Sequence, residues 1–241
     1  MLYEFYQSTS EDKRMYYASK CLEKYGLERV KSPIRADFVF CPINAKDISD
    51  YYPLPVLAGN IDEKENVFDY VKDECFALEN AFFTAQGAIA EATAASEKSL
   101  VSSAILLLGF GRISKALLSF LLPVTRDITV CARNDLQRKN ASLLGAETLD
   151  FSHLDDLKHY DFIFNTVPHP ILCRNELKSL KDDCTVIDLA SFPGGVDNHF
   201  ASLLGVNLVI ARGLPGKYFP KSSGELTAKT VIKILKREEI I

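Results

Sequence analysis

The chain has 241 residues, 47% of them hydrophobic and 25% charged, with a formal net charge of -4. This is a globular composition, long enough for one large domain or two modest ones. The charge offers no basic footprint for nucleic acid, and no apolar run approaches the roughly 18 residues of a membrane span. The opening MLYEFYQSTSEDKR lacks the basic start and apolar stretch of a signal peptide, so none is expected. Cysteines at 21, 41, 75, 131, 173 and 184 form no CxxC pair and read as reduced, buried, small hydrophobes of a cytoplasmic protein. The histidines at 153, 159, 169 and 199 lack ligand spacing, so no metal site is expected.

In chain order, LYEFY alternates and predicts a short strand. Glu11 to Tyr25 predicts a helix with Met15, Ala18, Leu22 and Tyr25 on one face and Gly26 as its stop. ADFVFCP predicts a second strand, Val56 to Ala58 a short one, and VFDY and CFALEN two brief extended runs. From Thr84, read as its N-cap, a helix is expected to about Glu97, with Ala85, Ile89 and Ala92 on its apolar face. The polar stretch KSLVSS marks the expected domain boundary.

Beyond it the rhythm is regular. AILLLG, DITVCAR, FIFNTVP, CTVIDLAS and NLVIARG predict strands, the first apolar throughout as strands buried on both faces are. Helices are expected over Arg112 to Leu122, Asp135 to Leu144, Asn175 to Leu180 and Glu225 to Arg237. Alternation of this kind predicts an α/β fold: a doubly wound parallel sheet of the Rossmann type, with a second, smaller N-terminal α/β domain. The expected division is 1–98 for the small substrate-side domain, 99–222 for the dinucleotide domain and 223–241 for a closing helix packed back toward the first domain. The cleft between domains is then the expected active site.

The stretch LLLGFGRISK carries the chemistry. A strand, then G-x-G, then a helix is the setting a dinucleotide fingerprint requires. Gly109 allows the tight turn, and Gly111 lets N–H groups and the helix dipole approach a pyrophosphate. Ser114 replaces the third glycine, a tolerable change where close helix–strand packing is needed. Phe110, Arg112 and Ile113 complete the expected cofactor loop. An NAD enzyme usually ends its second strand in Asp or Glu; here it ends in Arg133, which can grip a 2′-phosphate. Asn134, Arg138 and Lys139 stand nearby. NADP(H) is therefore favoured, with NAD(H) as the second choice. Asn165 and the following Thr166, Val167 and Pro168 end a strand at the edge where ligands bind in open α/β sheets. Ser191 ends the next strand, and Pro193-Gly194-Gly195 follows it, a turn whose N–H groups suit a carboxylate. GLPGKYFPKSSG reads as a long irregular loop; Arg212, Lys217 and Lys221 are its nearby cations, and Ser222 and Ser223 are placed to cap the last helix.

FNTVPHPIL, IDLASFPGGVD and ARGLPGKYFPKSSGEL, taken with GFGRIS, resemble the A-type subunits of dipicolinate synthase. The likeness continues upstream through NAFFTAQGAIAEA and LAGNI, and faintly through EDKRMYYASK. The resemblance implies a two-domain dehydrogenase fold and oxidation of a dihydrodipicolinate-type intermediate to pyridine-2,6-dicarboxylate. The implied partner is the flavoprotein-like B-type subunit of that enzyme, and the implied setting is the mother-cell cytoplasm of a spore former; a homodimer is left open. Lys221, Ser191 and Asn165 are the expected catalytic residues. Thr84, Gly194, Gly195 and Gly216 are expected to bind substrate. Three departures fall on the substrate side. Ser10 and Glu11 stand where the family has a glycine pair, Gln86 stands where it has a carboxylate, and the first domain reads as shortened. A non-catalytic dinucleotide-binding relative is therefore the alternative. A shikimate-type dehydrogenase has thin support, since Lys46 and Asp47 are adjacent rather than facing.

Overall fold

The structure is a computed structural model that describes residues 3–241; Leu2, part of the expected first strand, lies outside the described residues. The chain forms two compact units, one running to Phe83 and completed by Pro215–Ile241, the other Thr84–Leu214. In the first, β1 (Glu4–Gln7) leads into α1 (Lys13–Lys24), followed by β2 (Glu28–Val30), β3 (Phe38–Ile43), β4 (Val56–Gly59) and β5 (Val67–Asp69). They form a five-stranded parallel sheet in the order β2-β1-β3-β4-β5. The Asp12 carboxylate accepts from Arg14 N–H and caps α1, and Tyr25 and Gly26 (φ 87°) end it. Met15, Ala18 and Leu22 are buried as the spacing predicts; Ser19 joins them, and Tyr25 is exposed.

α2 (Glu74–Ala95) is one continuous helix that starts well before Thr84. The Asp73 carboxylate accepts from Phe76 N–H at 3.0 Å, which starts the helix there. CFALEN is thus helical rather than extended, and Thr84 is a mid-helix residue that caps nothing. A six-residue apolar pattern does not separate helix from strand, and the following alanines decide for helix. For the same reason the units divide at Phe83/Thr84 rather than at 98/99: the polar KSLVSS follows a helix already inside the second unit.

In that unit, β6 (Ile105–Leu108), α3 (Arg112–Leu121), β7 (Ile128–Cys131), α4 (Asp135–Leu143), β8 (Glu147–Leu149), β9 (Phe162–Asn165), α5 (Arg174–Lys178), β10 (Thr185–Asp188), α6 (Asn198–Leu203) and β11 (Asn207–Ile210) follow in turn. All strands pair in parallel, in the order β11-β10-β9-β6-β7-β8. Counted from β6 this is the 3-2-1-4-5-6 order of a doubly wound dinucleotide sheet. The four central strands are wholly buried, as their unbroken apolar runs require. Edge strands β8 and β2, and helix α6, escape sequence reading because each is short and mostly polar or half-exposed.

The chain then passes through α7 (Leu214–Tyr218) and α8 (Pro220–Arg237). GLPGKYFPKSSG is therefore two helices rather than a loop, with Pro220 at the first helical position of α8, where its missing N–H is harmless. α8 lies along α1 at a glycine: a Cβ on Gly224 would meet the Arg14 carbonyl oxygen at 2.5 Å and Tyr17 Cβ at 2.8 Å. Leu226, Val231 and Leu235 of α8 join Phe5, Leu22, Phe38, Leu57 and Phe76 in the core of the first unit. Each buried side chain of this size contributes roughly 1.5–3 kcal/mol. Of the cysteines, Cys41, Cys131 and Cys184 are buried; Cys21 and Cys173 are half-buried, and Cys75 is exposed, against expectation.

Candidate functional site

Register places the site. Cys131, Leu108, Asn165, Asp188 and Ile210 form one paired row across five strands. The residues that follow them therefore leave the sheet together at its carboxyl edge, where ligands of open α/β sheets bind. β6 and β9 are neighbours whose crossovers run in opposite directions, and the Gly109 and Thr166 turns meet above them.

Gly109 has φ 92°, and a Cβ there would lie 2.6 Å from Thr166 Oγ1 and 2.8 Å from Val167 Cγ2. Glycine is required by both torsion and space. Gly111 differs. Its φ is an ordinary -84° and a Cβ would meet nothing within 4 Å, so the protein's own packing does not demand glycine here. It is the N-cap of α3 and, having no side chain, makes no side-chain cap hydrogen bond. Open space over an uncapped helix start is what an approaching pyrophosphate needs. Arg112 and Ile113 form the first turn. Ser114 is fully buried and donates to the Gly109 carbonyl at 2.7 Å, so the residue in place of the third glycine ties the loop to its helix. Phe110 is buried beneath the Lys115 ammonium, 5.4 Å from the ring centre.

A cavity of about 260 Å³ is lined by Gly109–Gly111, Arg133, Gln137, Phe151 and Thr166–Pro168. It brings together all of the expected cofactor residues except Arg112, Ile113 and Asn134. Asn134 is taken up as the cap of α4, accepting from Gln137 N–H at 2.9 Å. Arg138 does not face a phosphate site: it donates to the Ala132 carbonyl and to Asp150, and also pairs with Asp135. It fixes the turn that presents Arg133, whose side chain is exposed. Beneath the loop, burial pushes the Cys131 thiol up to about 12, with Asp150 adding to the effect and Arg138 opposing it. It remains a neutral thiol. A larger cavity, about 410 Å³, lies beside Gly26–Arg29. That segment precedes and enters β2, so the cavity lies at the amino end of the strand and away from the ligand-binding edge.

Asn165 and Asp188 lock the next two turns together. Both are buried. Asn165 Nδ2 donates to Asp188 Oδ1 at 2.7 Å and to the Val167 carbonyl at 3.1 Å, while its Oδ1 accepts from Val167 N–H. Asp188 also accepts from Ala190 and Gly195 N–H. Both Asn165 Nδ2 hydrogens and one Oδ1 lone pair are engaged by the fold, so the amide holds the loop at the position where the sequence leads one to expect a catalytic residue. Gly195 is required by contact: a Cβ would lie 2.2 Å from Asn165 Nδ2 and 2.6 Å from the Val167 carbonyl oxygen. Its N–H, expected to be free for a carboxylate, belongs to Asp188. Gly194 (φ 96°) donates to the Ser191 carbonyl, and Ser191 itself is exposed. Arg212, two residues past β11, donates to the Ala190 carbonyl at 3.2 Å and to the Pro193 carbonyl at 3.3 Å. Sequence reading names Arg212 but ranks Lys221 above it; register across the sheet is the signal that favours Arg212.

The remaining expected residues lie elsewhere. Thr84 is half-buried within α2, and Gln86 is exposed on the same helix. Gly216 and Lys221 belong to the first unit. Gly216 packs on Arg14, whose Nε would be 3.0 Å from its Cβ, and Lys221 is exposed in the first turn of α8. The N-cap of α8 is Phe219, so Ser222 and Ser223 do not cap it; Ser223 is fully buried and its hydroxyl has no hydrogen-bond partner.

The strand order, the glycine loop over an uncapped helix and the cavity beside Arg133 define a dinucleotide-fold protein. The chain is 29% identical over 163 residues to the A-type subunit of dipicolinate synthase from Bacillus subtilis (strain 168), a match covering 66% of this chain and 54% of that protein. It thus matches about half the length of this curated relative. No family model matches. Crystal structures of the same dipicolinate synthase component from Bacillus halodurans and Bacillus subtilis superpose with a TM-score of 0.85, at 19% and 20% identity. They cover 97% and 99% of this chain, and 97% and 96% of their own. The apo structure of Escherichia coli D-lactate dehydrogenase superposes at 0.70 with 11% identity, covering 98% of this chain and 97% of its own. At such identities the structural likeness speaks to fold alone. Together with the curated match, it bears out the resemblance to dipicolinate synthase A-type subunits read from the sequence.

Proposed function

We propose that the chain is an NADP(H)-dependent oxidoreductase that converts a dihydrodipicolinate-type intermediate to pyridine-2,6-dicarboxylate, with a flavoprotein-like second subunit, in the mother-cell cytoplasm of a spore former. The observation that carries the coenzyme reading is Gly111: a glycine that neither torsion nor packing requires, at a helix start where the N-cap residue supplies no side-chain cap. When bound, a nicotinamide coenzyme supplies the hydride acceptor. Gly109–Ile113 would hold its pyrophosphate, and Thr166–Pro168 would border it. Arg133, exposed and lining the same cavity, supports the 2′-phosphate form. Asn165 and Asp188 keep the loops around it in register.

On the substrate side, Ser191, Gly194, Thr84, Gly216 and Lys221 are proposed from the family motifs. The ring gains aromatic stability as hydride and proton leave, so positioning supplies much of the rate and little acid–base help is needed. Reconstitution with the second subunit tests this: NADPH and dipicolinate should form together, and neither forming while coenzyme is bound would overturn it. A non-catalytic coenzyme-binding relative is the second reading, favoured by Gln86 in place of the family's carboxylate. It predicts coenzyme binding with no turnover, unchanged in a Gln86→Glu variant.

A further inference from the structure

We propose that Arg212 and Phe192 form a subsite for a flat ring carboxylate at the carboxyl edge of the second unit's sheet. The inference rests on the coenzyme reading and goes on to name the residues that would select the second ligand.

Arg212 is held in place by backbone carbonyls alone, those of Ala190 and Pro193. Among the described residues it has no carboxylate within ion-pair distance. Asp188 Oδ2 flanks the same Gly194 turn but accepts from Gly195 N–H instead. Two of the five Arg212 N–H groups are thereby used. The others remain for a carboxylate, which a planar guanidinium binds through paired bonds. A neutral carbonyl orients the side chain without neutralising it, so the positive charge is left for a ligand at the edge. This contrasts with Arg138, whose charge is balanced by Asp135 and Asp150.

The turn that holds Arg212 is fixed to the coenzyme loop. A Cβ on Gly194 would lie 3.0 Å from Arg212 Nη2, and one on the adjacent Gly195 would lie 2.6 Å from the Val167 carbonyl oxygen. Val167 lines the cavity beside Gly109. The guanidinium therefore stands one residue from a turn bordering the coenzyme cavity, over β10 and β11. It lies on the side of the switch point opposite Arg133, which would face the other end of a dinucleotide.

Phe192, in the same turn, is 85% exposed. A large aromatic side chain left in solvent at a ligand-binding edge offers a flat apolar face. A ring face in the turn and a cation bonded to it from the loop after β11 match a planar ring that carries a carboxylate. Arg133 reads the coenzyme and Arg212 reads the acid: two arginines, each two residues past the same register row.

The test uses the full chain saturated with NADPH, titrated calorimetrically with pyridine-2,6-dicarboxylate and with its uncharged isostere, pyridine-2,6-dicarboxamide. The dicarboxylate should bind at least about tenfold more tightly than the diamide. Arg212→Gln should weaken the dicarboxylate by about tenfold or more and Phe192→Ala by about threefold, with NADPH affinity and melting temperature unchanged in both. Wild-type affinity in Arg212→Gln, equal binding of diamide and dicarboxylate, or joint loss of coenzyme and dicarboxylate would each overturn the subsite. Coenzyme binding without any dicarboxylate binding by the wild-type protein would overturn it alone. Failure to take up NADPH, seen before any acid is added, would overturn the coenzyme reading and the subsite with it.

Discussion

The molecule contains two parallel sheets with a helix following the first strand of each, and the two turns are built in opposite ways. After β1 the chain runs through Ser8, Thr9, Ser10 and Glu11 to Asp12, whose carboxylate caps α1 and also binds the Arg14 guanidinium at 2.6 Å. After β6 it runs through Gly109, Phe110 and Gly111, and α3 begins with no side-chain cap. The first helix start already holds a carboxylate from the protein; the second has no side chain at its N-cap, which in the proposed function admits an anion from outside. On that proposal one architecture serves as scaffold in one unit and as a binding edge in the other, and the side chain at the N-cap makes the difference.

Exchanging the caps tests that contrast most sharply. Gly111→Asp should leave melting temperature unchanged or raised, because the new side chain points into open space and caps α3 for about 1 kcal/mol. NADPH affinity, measured by fluorescence titration, should fall at least about a thousandfold, since the carboxylate takes the pyrophosphate's place. Retained affinity would break the comparison. Next in size, Gly195→Ala should destabilise the second unit by about 2–4 kcal/mol in urea unfolding, because its Cβ collides with the Asn165 amide and the Val167 carbonyl.

A smaller effect concerns the amino end of the same sheet. Burial works to raise the Asp161 carboxyl, but hydrogen bonds from Lys181, Lys98 and Ala104 N–H overcome it and bring it down to about 2. A carboxylate whose pKa is depressed in the folded state stabilises fully above its ordinary value near 4, and that contribution is lost as pH falls toward 2. Asp161→Asn should therefore cost about 1–2 kcal/mol at neutral pH, shrinking steadily below about pH 4. Arg133→Gln should reduce the preference for NADPH over NADH by about tenfold, with stability unchanged. The smallest effect is the mirror of the first. Asp12→Ala should lower stability by about 1 kcal/mol through loss of the α1 cap, and leave coenzyme affinity as it was.

The second unit is largely legible from sequence because its strands are buried on both faces. ILLL, ITVC, FIFN and TVID leave no ambiguity about strand or environment, and the glycines announce the turn. The first unit is harder. β2 is three residues long, ERV, and CFALEN carries a pattern that a strand or a helix could use. Within the site, Gly109, Gly111 and Arg133 can be placed because strand and loop fix them locally. The engagement of Asn165 cannot, since its partner Asp188 lies on another strand and only register brings the two together. Arg212 is hidden in the same way, being one of three cations in a stretch that sequence alone does not order.

The return of α8 to the first unit bears on how the chain comes into being. The Phe5, Phe38 and Leu57 side chains are made before the second unit, yet Leu226, Val231 and Leu235, which complete their core, are made after it. The second unit is contiguous, and all of it is made while the first still lacks a wall. Its core is therefore complete in the chain before that of the first unit. A released chain truncated after Leu214 should show protease-resistant residues 84–214 and ready cleavage before residue 84.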